Sequence, residues 1–131
     1  MESVEDISTF EDIKKLVDVF YDKIRLNDLL APIFNAIIQD RWPQHLDKMY
    51  TFWQTVLLGE HTYFGSPFVP HAKLQVNHLH FQTWLKLFNS TVDELFVGPI
   101  ATEAKWRADK MATMFETKIK HYQANNFENL L

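Results

Sequence analysis

The stretch Pro67-Phe68-Val69-Pro70-His71-Ala72-Lys73-Leu74 sets an imidazole directly after a proline, between two aromatic-rich segments with helical periodicity. The chain holds 4 Trp, 4 Tyr and 11 Phe in 131 residues, clustered around a few of its histidines. A single core of this size does not need so many flat rings. A buried, flat, iron-bearing ligand does, and an imidazole is the usual group to hold its metal. Cysteine is absent, which removes thiolate ligation, iron–sulfur clusters, covalent attachment through C-x-x-C-H and any disulfide framework.

Composition narrows the remaining classes. A hydrophobic fraction of 47% supports a real core without disulfide staples, and the length suits one domain, 1–131, with its core over about 8–123. The formal charge of −4, with no basic run and no aromatic–basic interleaving, argues against nucleic acid as a partner. The N-terminus Met1-Glu2-Ser3-Val4-Glu5-Asp6 is acidic and lacks an apolar signal region, and no apolar run is long enough for a bilayer, so a cytoplasmic protein without a membrane span is expected.

The elements that must position His71 are helices. Three glycines are too few for a chain built of tight hairpins. Ser8 or Thr9 caps a first helix, and Ile13, Leu16, Val17, Phe20 and Ile24 form its inward stripe with Tyr21 on the flank. Asn27-Asp28 stops it. Leu29 to Ile38, with Pro32, makes one or two short turns. A second long helix begins near Trp42 with Pro43 in its first turn and ends at Leu58 before Gly59. His45, Met49, Phe52, Trp53 and Val56 share one of its faces. Glu60 to Pro70 reads as loop, and Pro70 suits the first turn of a short helix presenting His71. A third helix over His80 to Phe96 turns Phe81, Trp84, Leu85, Phe88, Val92 and Leu95 inward. Gly98-Pro99 breaks the chain, and a fourth runs from about Ile100 to Tyr122, with Ala104, Ala108, Met111, Phe115 and Ile119 on one face and a frayed tail over 124–131. An all-α fold follows, and the histidine-bearing irregular region sets it apart from a plain four-helix bundle.

Taken in order, Phe20-Tyr21, Pro32-Ile33-Phe34-Asn35, Trp42-Pro43-x-His45-Leu46, Phe52-Trp53-x-x-Val56-Leu57-Leu58-Gly59, Tyr63-x-Gly65-x-Pro67-x-x-x-His71 and Phe81-x-x-Trp84-Leu85-x-Leu87-Phe88 resemble the group III truncated haemoglobins of bacteria. The similarity covers roughly residues 13 to 115 and rests on the motifs jointly. It implies a truncated globin fold, a two-over-two α-helical sandwich with one non-covalent haem b. His71 matches the proximal histidine and iron ligand. Tyr21 matches a distal tyrosine whose hydroxyl donates to a partly negative diatomic, and Trp84 a distal tryptophan whose indole is a donor only. His45 matches the distal-helix histidine. It is open to three roles, as a gate, a ligand donor or an iron ligand, against plain solvent exposure near a helix start. Met49 faces the ligand from the same helix and cannot donate. Phe34 matches a ring packed on the porphyrin. Phe52, Trp53, Phe64, Phe68, Phe81 and Met111 are further haem-wall residues that serve equally as core. Many relatives carry a proline shortly after the proximal region's leucine, where this chain has Leu74-Gln75-Val76-Asn77, which leaves the proximal helix length and the propionate partners (Lys48, Lys73 or His78) open. The Gly-Gly pairs of other truncated-globin groups are absent, in keeping with group III.

The resemblance implies binding of O2, NO, CO or related small ligands, either as oxygen carriage or as redox chemistry on the ligand. A pocket with two donors slows O2 release, which suits NO dioxygenation or peroxide turnover, with electrons from a separate reductase. Two other readings stand beside it. One is a haem sensor acting through a partner. The other is a non-haem metal site on His71, His78 and His80, although no H-x-x-E-H or H-E-x-x-H pattern supports it.

Overall fold

The computed structural model describes residues 4–65 and 76–130. Among them the chain forms five helices and no strand: α1 (Phe10–Leu26), α2 (Ala31–Ile38), α3 (Trp42–Leu58), α4 (His78–Leu95) and α5 (Pro99–Leu130).

Local chemistry sets most of the boundaries. Thr9 caps α1: its hydroxyl accepts from the Asp12 N–H at 3.2 Å, while the Asp12 carboxylate accepts from the backbone of Thr9 and Ser8. The expected stripe is inward, with Ile13, Leu16, Val17, Phe20, Tyr21 and Ile24 all buried. Asn27 ends α1, and its side-chain oxygen accepts from the N–H groups of Leu29 and Leu30, so one residue closes one helix and leads into the next. α3 starts at Trp42 with Pro43 in its first turn and stops at Gly59, which adopts the left-handed conformation at φ 71°.

Two helices differ from the sequence expectation. α4 starts two residues early because Asn77 takes the N-cap and accepts from the Leu79 N–H at 3.0 Å. α5 continues to Leu130 instead of fraying from 124, since no Gly or Pro interrupts it after Pro99.

α1 packs on α3 and α4, α4 on α5, α2 on α1, and α5 also touches α3. The α1/α3 and α4/α5 pairs make the two layers. Ala101, Ala104 and Ala108 are buried on α5, and residues this small let a helix approach its neighbour closely. Phe20 and Phe88 lie at the centre, 5.2 Å apart edge to face.

The N-terminal segment fastens the α4–α5 corner. The Asp6 carboxylate accepts from the N–H groups of Ile100 at 3.0 Å and Ala101 at 2.8 Å, in the first turn of α5. Gly98 makes room for it: at φ 142°, a Cβ there would lie 2.5 Å from the Asp6 Cγ.

Candidate functional site

Between the layers lies a cavity of about 760 Å3, within the roughly 300–1,000 Å3 range of small-molecule and cofactor clefts. Every helix contributes to its wall. α1 gives Tyr21, α2 gives Ile33 and Phe34, and α3 gives His45, Lys48, Met49, Thr51, Phe52 and Trp53. α4 gives His80, Phe81 and Trp84, and α5 gives Met111, Ala112 and Phe115. Leu30, the segment Thr62–Gly65 and Val76 complete it.

Ten residues matched to the distal site or the haem wall meet here, Tyr21, Phe34, His45, Met49, Phe52, Trp53, Phe64, Phe81, Trp84 and Met111, and so does Lys48, one of the three residues offered as propionate partners. Phe64 belongs to the rim, since it is 86% exposed. His71 and Phe68 lie outside the described residues, as does Lys73. Gly65 and Val76, which bracket that stretch in sequence, both line the cavity. Val56 shares the α3 face but packs against the core instead. Thr51, Thr62, Tyr63, Ala112 and Phe115 are wall residues that the sequence did not assign, and His80, offered there only for a non-haem metal site, lines the wall too. Tyr63 stood within the quoted motif and Phe115 within the α5 stripe, so each carried a signal read for something else.

The polar groups are held by rings. Tyr21 is buried, with its ring edge to face against His45 at 5.1 Å, Trp42 at 5.9 Å and Phe34 at 6.1 Å. Burial pushes its phenol above the ordinary value, so the hydroxyl keeps its proton through the neutral range. Trp84 stacks parallel to Phe88 at 5.6 Å, and Phe20 meets it edge-on at 5.4 Å, which fixes the indole plane. His45 is half-buried, with Trp42 at 5.7 Å on its other side; this answers the solvent-exposed reading, because the side chain turns in among rings. Trp42 is itself tied down, donating its indole N–H to Asn35 at 3.1 Å and lying under the Arg25 guanidinium at 4.6 Å. A second cleft of about 340 Å3 is lined by Asp18, Asp22, Arg25, Trp42 and Tyr50 among others and shares Tyr21 with the cavity.

The other histidines take separate paths. His78 pairs with Glu116 on α5 at 2.9 Å, and Glu116 also pairs with Lys120 at 2.8 Å. His80 is bound to the α4 N-cap. Among the described residues no three His, Cys, Asp or Glu side chains gather as a metal site. Among them, too, no helix is long and apolar enough to cross a membrane.

The wall fits a flat, largely apolar macrocycle: aromatic and aliphatic side chains surround the cavity, and the few polar groups (Tyr21, His45 and Trp84 inward, Lys48, Thr51, Thr62 and His80 besides) are spaced for oriented contacts. Two helical layers closed on such a cavity define an all-α globin. A bacterial-like globin family profile matches residues 4–120. A group 3 truncated haemoglobin of Campylobacter jejuni is 34% identical over 116 residues, spanning 86% of this chain and 91% of that protein. The crystal structure of the group III truncated haemoglobin from the same species superposes with a TM-score of 0.82 at 31% identity, covering 89% of this chain and 95% of that one. The chain therefore belongs to the bacterial-like globin family, as a group III truncated haemoglobin, and its general function is haem-based binding of small ligands.

Proposed function

We propose that the cavity holds haem b non-covalently through His71 and takes up O2 and related diatomics beside Tyr21, Trp84 and His45. One observation carries this reading. Gly65 and Val76, the described residues that flank the His71-bearing stretch in sequence, both line a cavity whose wall already holds Tyr21, His45 and Trp84. Bound haem would supply the iron that takes up the diatomic. The chain supplies everything else. Phe34, Met49, Phe52 and Phe81 exclude water, Tyr21 and Trp84 donate hydrogen bonds to the negative end of the ligand, and His45 guards access beside Trp42.

Magnitudes favour chemistry over delivery. Each net hydrogen bond is worth roughly 1 kcal/mol, more to a charged acceptor. Two of them slow O2 release by about 10- to 100-fold, at ~1.4 kcal/mol per decade. Slow release is poor for carriage and suits turnover of the ligand, such as NO dioxygenation or peroxide reduction, with a separate reductase returning the electrons.

The test is optical. The purified protein, titrated with haemin and reduced, should give a Soret band at one haem per chain. His71→Ala should abolish stable haem retention or leave it weakly ligated. A colourless protein that takes up no haemin would sink the reading. An unchanged ferrous spectrum in His71→Ala would overturn the proximal assignment alone.

A further inference from the structure

We propose that His80 is the hydrogen-bond donor to a propionate carboxylate of the bound haem, locked into that role by the N-cap of α4. The inference rests on the haem reading above and adds a residue that no sequence motif assigned. His80 is the third residue of α4. The backbone N–H of Asn77 donates to His80 Nδ1 at 3.0 Å, which requires a bare lone pair on that nitrogen. Nδ1 also lies 3.0 Å from Asn77 Oδ1, which would ask the same nitrogen to donate. The two demands conflict, and the peptide decides between them. Its hydrogen is fixed and aimed at Nδ1, whereas Asn77 Oδ1 is already supplied by the Leu79 N–H and by the backbone of His80. The neutral ring therefore carries its proton on Nε2.

Two consequences follow. A nitrogen that bears a proton has no lone pair for iron, so the helix cap removes His80 from the pool of metal ligands. The same proton makes His80 a committed donor. Its Nδ1 edge is turned back to Asn77, and the ring lines the cavity, so the Nε2 edge is the one left for an occupant. His80 and Trp84 sit one turn apart on the same face of α4, which separates a donor for the diatomic from a donor toward the helix start. Haem has an apolar periphery except at its two propionates. An N–H donor in the first turn of a helix, where the backbone dipole favours negative charge, matches a carboxylate.

His80→Glu is the informative variant. Glu at this position keeps an acceptor for the Asn77 N–H, as capping boxes commonly do, and carries no donor. The readout is the rate of haem transfer to excess apomyoglobin, measured with haem and with haem dimethyl ester, whose carboxylates are blocked. We expect His80→Glu to speed loss of haem by roughly ten- to a hundredfold, the range for a hydrogen bond to a charged group, and to leave loss of the ester unchanged, while His80→Gln, whose amide both accepts and donates, stays close to wild type. Equal acceleration for haem and ester, or no change for either in His80→Glu, would overturn the proposal. A changed axial-ligand absorption spectrum in His80→Glu would also overturn it, by making His80 an iron ligand. Wild-type uptake of haemin separates these outcomes from failure of the haem reading itself, which would take this proposal down with it.

Discussion

Tyr21 and Trp84 bring different chemistry to one cavity from different helices. A phenol both donates and accepts, while an indole only donates. Removing one donor lets the other reorient, so single substitutions mislead. Tyr21→Phe could even slow O2 release by freeing Trp84 for a better bond. We expect a double-mutant cycle of Tyr21→Phe and Trp84→Phe on the release rate to depart from additivity by more than ~0.5 kcal/mol. Strict additivity would leave two independent groups and remove the shared network. His45 belongs to a different step. Held between Tyr21 and Trp42, it should affect ligand access, so His45→Ala should change the association rate more than release; a larger effect on release than that of Trp84→Phe would contradict this. The pH profile gives a further check on Tyr21. Its folded-state value is raised above the ordinary 10.0, so both the donor and its stability contribution are intact below that pH. Both should decline only as pH rises past 10.0 toward the folded value. A fall in the Tyr21-dependent slowing of release between pH 7 and 9 would show that the phenol ionises earlier than its burial allows.

At the scale of elements, the α4–α5 corner depends on the N-terminal segment. Burial pushes the Asp6 carboxyl up, but hydrogen bonds from Ile100, Ala101 and Ile7 outweigh it and hold the group below its ordinary 3.8. Its contribution is thus present above pH 3.8 and lost as pH falls through the folded value. Asp6→Ala removes a cap and should cost about 0.5–2 kcal/mol in denaturant melts at neutral pH. That deficit should shrink in acid as the wild type loses the same carboxylate. Gly98→Ala should cost at least about 1 kcal/mol, from its positive φ and its clash with Asp6. The clash should be relieved in the Asp6→Gly background, which removes the Cβ at 2.7 Å together with the Cγ and Oδ2, and fully additive losses there would rule it out. None of this was legible in the sequence, where Asp6 was only one of several acids. Its partners lie 94 and 95 residues away, and no local pattern reports such a contact. The helices themselves were legible because their signals are local. Thr9 with Asp12, Pro43 and Gly59 each act within a few residues. Asn77 is equally local: its side chain caps α4 at His78, two residues ahead of the His80 start that the apolar periodicity suggests. The cavity was legible only in part. An apolar stripe at helical spacing looks the same facing a core or a cofactor, so Phe115 was read as core and Val56 was grouped with the residues that face the cavity. The order of the motifs, more than any periodicity, singled out Tyr21, His45 and Trp84.

Across the whole molecule, packing divides into two regions. Ile13, Leu16, Val17 and Ile24 of α1, Phe88 and Val92 of α4, and Ala101, Ala104 and Ala108 of α5 are buried and do not line the cavity. The buried Thr91 in that region is satisfied by the Leu87 carbonyl at 2.7 Å. By contrast, α2, the inner face of α3 and the first turns of α4 border the cavity. A ligand that binds only the folded state stabilises it by mass action, about 4.1 kcal/mol when it is present at a thousand times its Kd. For a domain of this size, extracting haem should therefore lower Tm by on the order of 10 °C. The loss should not be uniform. Hydrogen exchange of the apoprotein should keep its slow amides in α1, the second half of α4 and the Ala-bearing part of α5, while α2, the middle of α3 and residues 78–81 exchange faster than in the haem-loaded protein. Equal loss of protection along every helix would mean that cavity and core form one cooperative unit. Unchanged protection around the cavity would mean that its wall is preorganised without haem, with Trp42, Phe34 and Trp53 already held by their neighbours, and that binding energy goes to the ligand face instead of into folding.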